Sequence, residues 1–421
     1  MPRATKSDDD LTMPTGGPYD NCTAFAGNAC RSAINCSFVT PPVTLWMAPP
    51  SIIDLDGLGD DPRDAIHRAV QAIAEGKTVV LPTETVYCLA ASGLDAAAVQ
   101  RVITLRGNEC EPPLLALKNF DDALDYIPAM SPLAIRLARR CWPGPLTLRL
   151  DDNHPDSVVR RLPEPVRRCI LSDGKLQLTV PFNPIVAGML RLLPGPLVLW
   201  PACKPDQPEP VSAREAIEQF NSQFDLVLDD GRTRFAQSSS IVEVVDGRVK
   251  LVRGGVISEQ TLQRLASFMI VVVCTGNTCR SPMAEMLLKK RLAAQLGCKT
   301  EELEDRGVLV QSAGIAAMSG GRAADEAVET MKLHGLDLTA HETQPLSDRI
   351  VRYADLILTM TRGHREAILA QWPEARDRVF PVSGERGDIS DPIGGPPELY
   401  RRCAEQIDAY LADWVERIKL P

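Results

Sequence analysis

Several features are scarce in this 421-residue chain, and each shortage excludes a class of protein. No apolar run approaches the roughly 18 residues that a membrane-spanning helix needs, so we expect a soluble protein without a membrane partner. The net charge is -9 rather than strongly positive, which argues against direct binding of nucleic acid. The 5 histidines are scattered without metal-ligand spacing, and we therefore predict no metal site.

Cysteine is too sparse for a disulfide scaffold, because 12 cysteines are spread over the whole chain. A hydrophobic content of 44% and a charged content of 24% are those of an ordinary globular protein. The length suggests about two to three domains. Residues 1–50 have neither hydrophobic periodicity nor the layout of a signal peptide, so we expect a disordered or non-native extension, with Met47 as an alternative start.

The most informative segment is a loop between an apolar run and a run of helix formers. Residues 269–273 are short, apolar and β-branched, as in a buried parallel strand. Residues 282–290 favour a helix, with Pro282 in its first turn. A loop between them places backbone N–H groups and the positive end of the helix dipole around one point. Such a loop is shaped to hold a phosphate.

Two side chains of this loop, Cys274 and Arg280, are separated by five residues and carry the chemistry. The field of the helix favours the thiolate form of Cys274, which is expected to be ionised and nucleophilic at neutral pH. Arg280 has a planar fork that can grip two phosphoryl oxygens during transfer. The predicted phosphate-binding residues around them are Thr275, Gly276, Asn277, Thr278, Cys279 and Ser281, of which the last could hydrogen-bond the thiolate.

The stretch from Cys274 to Glu285 closely resembles the signature loop of the low-molecular-weight protein phosphatase family. Residues 312–314 are similar to the family's Ser-Ala-Gly turn, 354–361 to its later buried strand, and 391–395 to its acid loop. The resemblance covers roughly residues 268–421. It implies a Rossmann-like, parallel four-stranded sheet flanked by helices, and a phosphatase that needs no cofactor.

The resemblance also implies how such an enzyme works. Cys274 would attack phosphorus, and Asp391 would protonate the leaving group and then activate the water that hydrolyses the phosphocysteine. A leaving alkoxide, phenoxide or guanidine needs that proton. Asp388 is a competitor for the acid role, although the Asp-Pro-x-Gly-Gly context favours Asp391. We interpret His341 and His364 as structural residues outside this mechanism.

The sequence does not decide whether the substrate is phosphotyrosine or phosphoarginine. Family members that act on phosphotyrosine often have aromatic residues where Ile393 and Gly394 stand here. Thr278 is similar to the threonine of a bacterial subset that dephosphorylates protein arginine, but that subset usually has phenylalanine at the position of Ile393. The partner in either case is a phosphorylated protein.

The cysteines other than Cys274 bear on redox chemistry in this segment. Cys279 could close a disulfide that protects Cys274 from irreversible oxidation, or could simply be a small loop residue. Some relatives of the fold are arsenate reductases, but only Cys298 and Cys403 remain as downstream thiols here, far apart in helical segments, so a reductase is weakly supported. A catalytic thiolate needs reducing surroundings, which favours a cytoplasmic location.

Regular structure is predicted to begin well before the phosphatase segment. Residues 62–77 have helical apolar spacing, and residues 78–81 form a strand pattern. Residues 82–87 and 142–148 resemble the YrdC-like family of threonylcarbamoyl-AMP synthases, over about residues 60–265. The resemblance implies a twisted mixed α/β domain that takes ATP (with Mg), threonine and bicarbonate as substrates for tRNA modification.

Several contacts of that family are altered in this chain. The resemblance leaves four candidate nucleotide- or threonine-binding residues, which are Thr85, Arg106, Ser239 and Arg253. The departures are Asn108 in place of an arginine, Thr179 in place of an arginine, and residues 201–203 in place of Ser-Ala-Asn. Each lost charge-assisted hydrogen bond would forfeit about 1.5 to 3 kcal/mol, so three or four losses could abolish turnover.

The sequence therefore predicts a two-domain protein in which a cysteine-dependent protein phosphatase, residues 268–421, follows a synthase-like domain of doubtful activity, residues 60–265. One alternative is a bifunctional enzyme that also makes threonylcarbamoyl-AMP. Another is a non-catalytic protein that binds phosphoproteins or a nucleotide. Within the synthase-like domain, Thr83, Thr85 and Tyr87 could instead only complete a buried strand. No long Pro, Gly or Ser tract separates the domains, so they are expected to abut.

Overall fold

The structure is a computed structural model that describes residues 50–55, 61–107, 111–418 and 420. Nearly all of the expected N-terminal extension, and Asn108, lie outside these residues. The described residues belong to one compact unit with two lobes. We call residues 50–266 the N-terminal lobe and residues 268–418 the C-terminal lobe. None of the helices described here is long and apolar enough to cross a membrane.

The N-terminal lobe is built on a mixed sheet, to which eleven strands of the described residues contribute. Their order across the sheet is β1-β9-β2-β3-β8-β4-β7-β5-β10-β11, with β6 paired to β7. The strands are β1 (Ser51–Asp54), β2 (Val79–Pro82), β3 (Tyr87–Ser92), β4 (Leu114–Ala116), β5 (Leu146–Asp151), β6 (Leu171–Ser172), β7 (Lys175–Thr179), β8 (Leu197–Pro201), β9 (Leu226–Asp229), β10 (Ser240–Val245) and β11 (Arg248–Arg253). The sheet contains parallel pairs such as β1 with β9 and antiparallel pairs such as β3 with β8, which confirms the predicted mixed α/β fold.

The described residues of this lobe also form eight α-helices. They are α1 (Arg63–Ala74), α2 (Ala96–Arg106), α3 (Phe120–Tyr126), α4 (Pro132–Cys141), α5 (Glu164–Ile170), α6 (Pro184–Leu192), α7 (Ala213–Phe220) and α8 (Glu259–Ala266). In α1 the buried residues are Ala65, Ala69, Ala72 and Ile73, at the spacing from which the sequence predicted a helix. Six of the eight helices start at an Asp, Asn or Ser whose side chain accepts a backbone N–H of the first turn.

The C-terminal lobe has a four-stranded sheet in the order β13-β12-β14-β15, and every pairing is parallel, as the resemblance implied. The strands are β12 (Phe268–Cys274), β13 (Val308–Gly314), β14 (Leu356–Thr359) and β15 (Val379–Pro381). The helices are α9 (Arg280–Leu296), α10 (Asp325–Leu333), α11 (Asp348–Tyr353), α12 (Arg362–Gln371) and α13 (Pro397–Arg417).

Strand β12 lies in the middle of this sheet and has apolar side chains on both faces. Ile270 and Val272 belong to the core formed with α9, α10 and α13. Val271 and Val273 belong to the opposite core, which includes residues of α11 and α12. A strand buried on both faces reads as a continuous apolar run. Because the four strands are parallel, their carboxyl ends share one edge, where an open α/β sheet places its ligand site.

The two lobes meet at α4 and the residues before β14. The Asp355 carboxylate lies 2.9 Å from Arg136 Nε, 2.7 Å from Arg139 Nη2 and 2.8 Å from Arg140 Nη2, and it is 9% exposed. It also accepts the N–H of Met269 at 2.9 Å. One buried carboxylate at the edge of the C-terminal lobe's sheet therefore pairs with three guanidinium groups from the other lobe.

Candidate active site

The loop after β12 turns back on itself through residues 275–279 before α9 begins at Arg280. Asn277 has φ 57°, in the left-handed region that asparagine tolerates better than most residues. This turn brings the Asn277 N–H to 3.3 Å from Cys274 Sγ. A Cβ on Gly314, at the end of β13, would lie 2.5 Å from the Thr275 carbonyl oxygen, so only glycine allows β13 to approach the loop this closely.

A network of buried hydrogen bonds surrounds Cys274. The side-chain amide nitrogen of Asn277, Nδ2, donates to Ser281 Oγ at 3.0 Å and to Ser312 Oγ at 2.9 Å. Ser312 in turn donates to a carboxylate oxygen of Glu285 at 2.7 Å. Ser281 Oγ accepts from Asn277, and it lies 3.0 Å from Cys274 Sγ and 3.4 Å from the carbonyl oxygen of Ala313. That its hydroxyl donates to a Cys274 thiolate stays a prediction.

Arg280 is buried at the start of α9 and reaches across to the segment before α13. Its Nη1 donates to the carbonyl of Ile389 at 3.1 Å, and its Nη2 donates to the carboxylate of Asp391. The Arg280 Nε has no hydrogen-bond partner among the described residues. The Asp391 side chain is 39% exposed, whereas Arg280 is only 5% exposed, so the guanidinium is the buried member of this pair. Asp388 instead accepts the backbone N–H of Arg362 at 2.9 Å.

The other loop residues differ in exposure. Thr275 is exposed, Gly276 and Thr278 are partly buried, and Cys279 is buried beside Tyr400, with 3.7 Å from Sγ to the hydroxyl. Burial raises the pKa of the Cys279 thiol, so this sulfur stays protonated more readily than an ordinary cysteine. Cys274 and Cys279 are both unpaired in the structure. The protective disulfide therefore stays a prediction.

The downstream thiols are placed differently from one another. Cys298 follows the carboxyl end of α9, a 17-residue helix that spans about 25 Å from the end that carries Arg280. Cys403 lies on α13, with its Sγ 3.9 Å from the carbonyl of Ser390 in the acid loop. Burial raises the pKa of Cys403 to about 12. The length of α9 therefore separates Cys298 from the end that carries Arg280, which does not favour the electron relay through both thiols that a reductase would need.

Two histidines that the sequence analysis left outside the mechanism contact the loop. His364 Nε2 lies 2.9 Å from Thr275 Oγ1, and His341 Nε2 lies 2.9 Å from the carbonyl of Asn277. Burial and the nearby Arg280 lower the pKa of His364 to about 4, so its imidazole is neutral near pH 7. Both histidines are distant from the loop in sequence. The one available signal was that His364 follows β14, whose carboxyl end lies at the same edge as Cys274.

In the N-terminal lobe, the four candidate residues lie around two cavities. Thr85, Ser239 and Arg253 line a small one of about 30 Å³, with room for about one water molecule. Ser239 Oγ lies 3.0 Å from Thr147 Oγ1 there. Arg106 and Arg253 line a larger cavity of about 240 Å³. Arg253 is thus the one of the four candidates that lines both cavities, which also share Leu114 and Pro201.

The residues questioned in the synthase comparison are placed as follows. Tyr87 begins β3, whereas Thr83 and Thr85 form the turn before it, with 2.9 Å between their hydroxyl oxygens. The strand interpretation therefore applies to Tyr87 alone. Thr179 is buried at the end of β7 and lines the small cavity. Cys203 lines the larger cavity, and its carbonyl accepts from Arg106 Nε at 3.2 Å.

The larger cavity has as many carboxylates as cations among its described lining residues. These ionisable residues are Arg106, Lys204, Arg253, Glu111, Asp206 and Glu209. Arg253 Nη1 lies 3.1 Å from both Glu111 and Glu209. Three buried atoms on its lining have no hydrogen-bond partner among the described residues, namely Arg106 Nη1, Gln177 Oε1 and Arg253 Nε. Within the same residues, no cluster of His, Cys, Asp or Glu could hold a metal ion.

A nucleophilic cysteine and an arginine on a strand-to-helix loop, with an aspartate across the site, define a class of cysteine-dependent phosphatases. The family model described as low molecular weight phosphotyrosine protein phosphatase matches residues 269–420, and the chain belongs to that family through this segment. The family model of Sua5, YciO and YrdC proteins, described as telomere recombination, matches residues 71–255. This confirms both resemblances.

Individual relatives divide in the same way. The chain is 38% identical to a protein-arginine-phosphatase of Geobacillus stearothermophilus over 36% of this chain and 97% of that protein. It is also 38% identical to the probable low molecular weight protein-tyrosine-phosphatase EpsP of Ralstonia nicotianae, over 36% of this chain and 95% of that protein. A threonylcarbamoyl-AMP synthase of Pyrococcus abyssi is 30% identical over 48% of this chain, which spans 56% of that protein.

Solved structures are similar to the same two parts. The YwlE arginine phosphatase from Geobacillus stearothermophilus is 38% identical, with a TM-score of 0.32, over 36% of this chain and 92% of the other. P. abyssi Sua5 complexed with L-threonine is 20% identical, with a TM-score of 0.46, over 63% of this chain and 92% of the other.

Proposed function

We propose that the C-terminal lobe hydrolyses phosphorylated residues of proteins through a phosphocysteine intermediate. The observation that carries the proposal is the thiol of Cys274 held between the hydroxyl of Ser281 and the N–H of Asn277, at the N-terminal end of α9. Two donors and a helix dipole at one sulfur favour the thiolate. The same donors favour a phosphoryl group beside it.

In the first chemical step, Cys274 Sγ forms a bond to phosphorus while the bond from phosphorus to the substrate's leaving atom breaks. Arg280 and the loop N–H groups offset the charge on the phosphoryl oxygens in the transition state. An entering phosphoryl group competes with Asp391 for the Arg280 guanidinium. Release from that ion pair leaves Asp391, in its protonated form, able to give its proton to the leaving nitrogen or oxygen.

In the second step a water oxygen attacks phosphorus, and the bond between sulfur and phosphorus breaks. Asp391, now a carboxylate, accepts a proton from that water. The products are inorganic phosphate and the Cys274 thiolate, which Ser281 stabilises again. The family requires no cofactor, and none enters these steps.

Phosphoarginine is the substrate class that we place first. A substrate guanidinium suits Asp391, which already forms a hydrogen bond with a guanidinium in this structure. The side chain after the acid is Ile393, which is aliphatic and exposed rather than an aromatic wall for a phenol ring. Two relatives named protein-arginine-phosphatase are 38% and 37% identical. Phosphotyrosine is the second candidate, because a tyrosine-phosphatase relative is equally similar at 38%.

Phosphate release from matched phosphoarginine and phosphotyrosine peptides tests this under reducing conditions. We expect release by the wild-type protein, faster from phosphoarginine, and none by Cys274→Ser. Asp391→Asn should lower kcat on the order of a hundredfold, whereas Asp388→Asn should not. Equal release by Cys274→Ser would exclude the mechanism. A faster phosphotyrosine reaction would change the substrate class only.

For the N-terminal lobe we propose binding of ATP or threonine without adenylate formation. The unpartnered donors on Arg106 and Arg253 favour an anionic ligand in the larger cavity. The cavity's equal numbers of cations and carboxylates do not favour a triphosphate with Mg²⁺ held for reaction. The similarity to a threonylcarbamoyl-AMP synthase covers only part of that protein. The bifunctional enzyme that serves tRNA modification is the alternative.

Incubation with labelled threonine, bicarbonate and ATP with Mg²⁺ tests this second proposal. We expect no threonylcarbamoyl-AMP, together with measurable heat of binding for ATP or threonine. Formation of the adenylate would show that the lobe is an active synthase. For the whole chain we propose a cytoplasmic location, because the Cys274 thiolate requires reducing surroundings.

A further inference from the structure

The small cavity of the N-terminal lobe is polar and adjoins the larger one, but it has little room. Its lining includes the hydroxyl groups of Thr85 and Ser239 and the guanidinium of Arg253, three polar groups of the kind that bind an anionic ligand. Its volume of about 30 Å³ admits roughly one water molecule. Leu114, Pro201 and Arg253 line both cavities. A ligand that extends from the larger cavity to these polar groups must therefore displace part of the wall of the small one.

One wall of the small cavity is the loop between α4 and β5, residues 142–145. Gly144 and Pro145 line the cavity directly. The loop is anchored by the buried indole of Trp142, whose Nε1 donates to the carbonyl of Leu146 at 2.7 Å. Other walls belong to β3, β7 and β8, whose backbone groups pair with neighbouring strands. The loop can therefore move without breaking the pairing of the strands.

Arg352 of α11, in the C-terminal lobe, holds this loop at its first residue. Its Nε donates to the carbonyl of Arg139 at 2.7 Å, and its Nη2 donates to the carbonyl of Trp142. Both carbonyls lie at the carboxyl end of α4, where helix carbonyls lack partners within the helix and favour a cation. Arg139 Nε donates in return to the carbonyl of Arg352 at 2.9 Å. The backbone position at which the cavity wall begins is thus tied to the C-terminal lobe.

Two further arginine contacts reinforce the junction of α4 with α11. Arg139 Nη2 donates to the Asp355 carboxylate at 2.7 Å, and Arg140 Nε donates to the carbonyl of Tyr353 at 3.0 Å. Tyr353 is the last residue of α11. Each helix therefore donates to carbonyls at the carboxyl end of the other. Several hydrogen bonds thus fix the end of α4, from which the cavity wall continues, to the C-terminal lobe.

We propose that this junction is an autoinhibitory contact, in which Arg352 keeps residues 142–145 against the small cavity and so lowers the affinity of the N-terminal lobe for an anionic ligand. Outward movement of the loop would separate the Trp142 carbonyl from Arg352, so a ligand that needs the wider cavity competes with the contact. By linkage, the ligand weakens the contact by the same factor by which the contact weakens the ligand. The proposal rests on the ligand binding proposed above for this lobe and does not depend on the phosphatase reaction.

Calorimetric titration of the full chain with ATP and with L-threonine tests the effect on affinity. Arg352→Ala removes both donors from an exposed side chain, so the fold should tolerate it. We expect the Kd to fall about five- to tenfold for whichever of the two ligands binds the wild type. Arg352→Lys, which keeps the charge but not the planar fork, should give a smaller gain. Arg349→Ala, at an exposed arginine of the same helix that packs over Tyr353, is the control and should leave the Kd unchanged.

The rate at which N-ethylmaleimide labels Cys88, followed by peptide mass spectrometry, reports opening of the small cavity without any ligand. Cys88 lines this cavity and is 3% exposed. In Arg352→Ala its labelling should be faster by a factor of about three or more, whereas labelling of Cys298 in the C-terminal lobe should stay unchanged.

The two measurements separate the possible outcomes. A Kd and a Cys88 labelling rate that both match the wild type would overturn the proposal. Faster labelling at both Cys88 and Cys298 would also overturn it, because it indicates a general loss of stability. Faster labelling of Cys88 alone, with no binding of ATP or threonine by either protein, would support the contact and remove only the ligand binding proposed for the lobe.

Discussion

The catalytic loop of the C-terminal lobe and the larger cavity of the N-terminal lobe each contain an arginine, and the two differ in what balances its charge. Arg280 pairs with one carboxylate, Asp391, which is partly exposed. Arg253 pairs with two, Glu111 and Glu209, and the latter also accepts from Ser238. An anion must displace one carboxylate in the first case and compete with two in the second.

The origin of the positive potential also differs. In the loop, part of it comes from backbone N–H groups and the dipole of α9, which no side-chain substitution cancels. Among the described residues that line the cavity, three cationic side chains are accompanied by three carboxylates. The loop therefore remains an anion site even while Arg280 is paired. The cavity keeps only local donors, such as Arg106 Nη1.

The largest expected effect is the difference in kcat between substitutions of Arg280 and of Arg253. Arg280→Lys keeps the charge but loses the planar fork, and we expect kcat for phosphate release to fall about a thousandfold. Arg253→Lys should change the same kcat less than about twofold. Steady-state kinetics on the preferred phosphopeptide measures both. Similar losses in the two variants would mean that the cavity takes part in phosphatase catalysis, and the contrast would be wrong.

The next largest effect is expected at Asp355, in the contact between the N-terminal and C-terminal lobes. Asp355→Asn would leave Arg136, Arg139 and Arg140 around a neutral side chain. We expect the free energy of unfolding to fall by about 3 to 4 kcal/mol, since a buried cation without its partner is costly. Chemical denaturation should show one transition for the wild type and separate transitions for the two lobes in the variant.

The control for this variant is Asp413→Asn, which removes a carboxylate from an exposed pair with Arg386. Its effect should stay below about 1 kcal/mol. An equally small effect of Asp355→Asn would show that the arginine cluster is solvated and that the lobes are stabilised independently.

The sequence was sufficient for the parts of the site that are continuous in the chain. The strand, the loop and the start of α9 lie within residues 268–296, and local patterns determine them. Asp391 was found only through the resemblance. The contacts of His341 and His364 with the loop could not be predicted from local patterns, because side chains separated by 64 and 89 residues from their loop partners meet only through the parallel crossovers.

In the N-terminal lobe, the resemblance indicated which residues to inspect but not how their charges are compensated. Arg253 was predicted as a ligand contact, whereas its partners Glu111 and Glu209 lie 142 and 44 residues away in the chain. Ion pairs of this separation carry no periodic signal. The same holds for the lobe contact, where Asp355 and Arg140 are 215 residues apart.

A smaller effect is expected from pH, at His364. Its pKa is lowered to about 4 from an ordinary value near 6.5, so the folded state binds a proton less readily than the unfolded state. The stability that the neutral imidazole contributes is complete above about pH 6.5 and is lost as pH falls towards 4, despite the opposing charges of Asp391 and Asp388. Between pH 7.5 and 5 the loss should be about 2 kcal/mol.

Denaturation at both pH values measures this difference for the wild type and for His364→Gln, which has no titrating ring. The pH-dependent loss should shrink by that amount in the variant. His154→Gln, at a partly exposed position of the N-terminal lobe, is the matched control. An unchanged slope in His364→Gln would show that the imidazole titrates near its ordinary pKa.

The smallest expected effect is on ATP binding at the larger cavity of the N-terminal lobe. If the carboxylates on Arg253 weaken the binding of a polyanion, Glu209→Gln should tighten ATP binding by about three- to tenfold, since one partly screened charge is removed. Asp173→Asn, which removes an exposed carboxylate from Arg149 outside the cavity, should have no such effect. Calorimetric titration at about 0.1 M and 0.5 M salt separates the electrostatic part, because the gain should shrink as the Debye length falls. Unchanged affinity in Glu209→Gln would mean that shape rather than charge limits the cavity, and the contrast with the catalytic loop would then rest on the backbone donors alone.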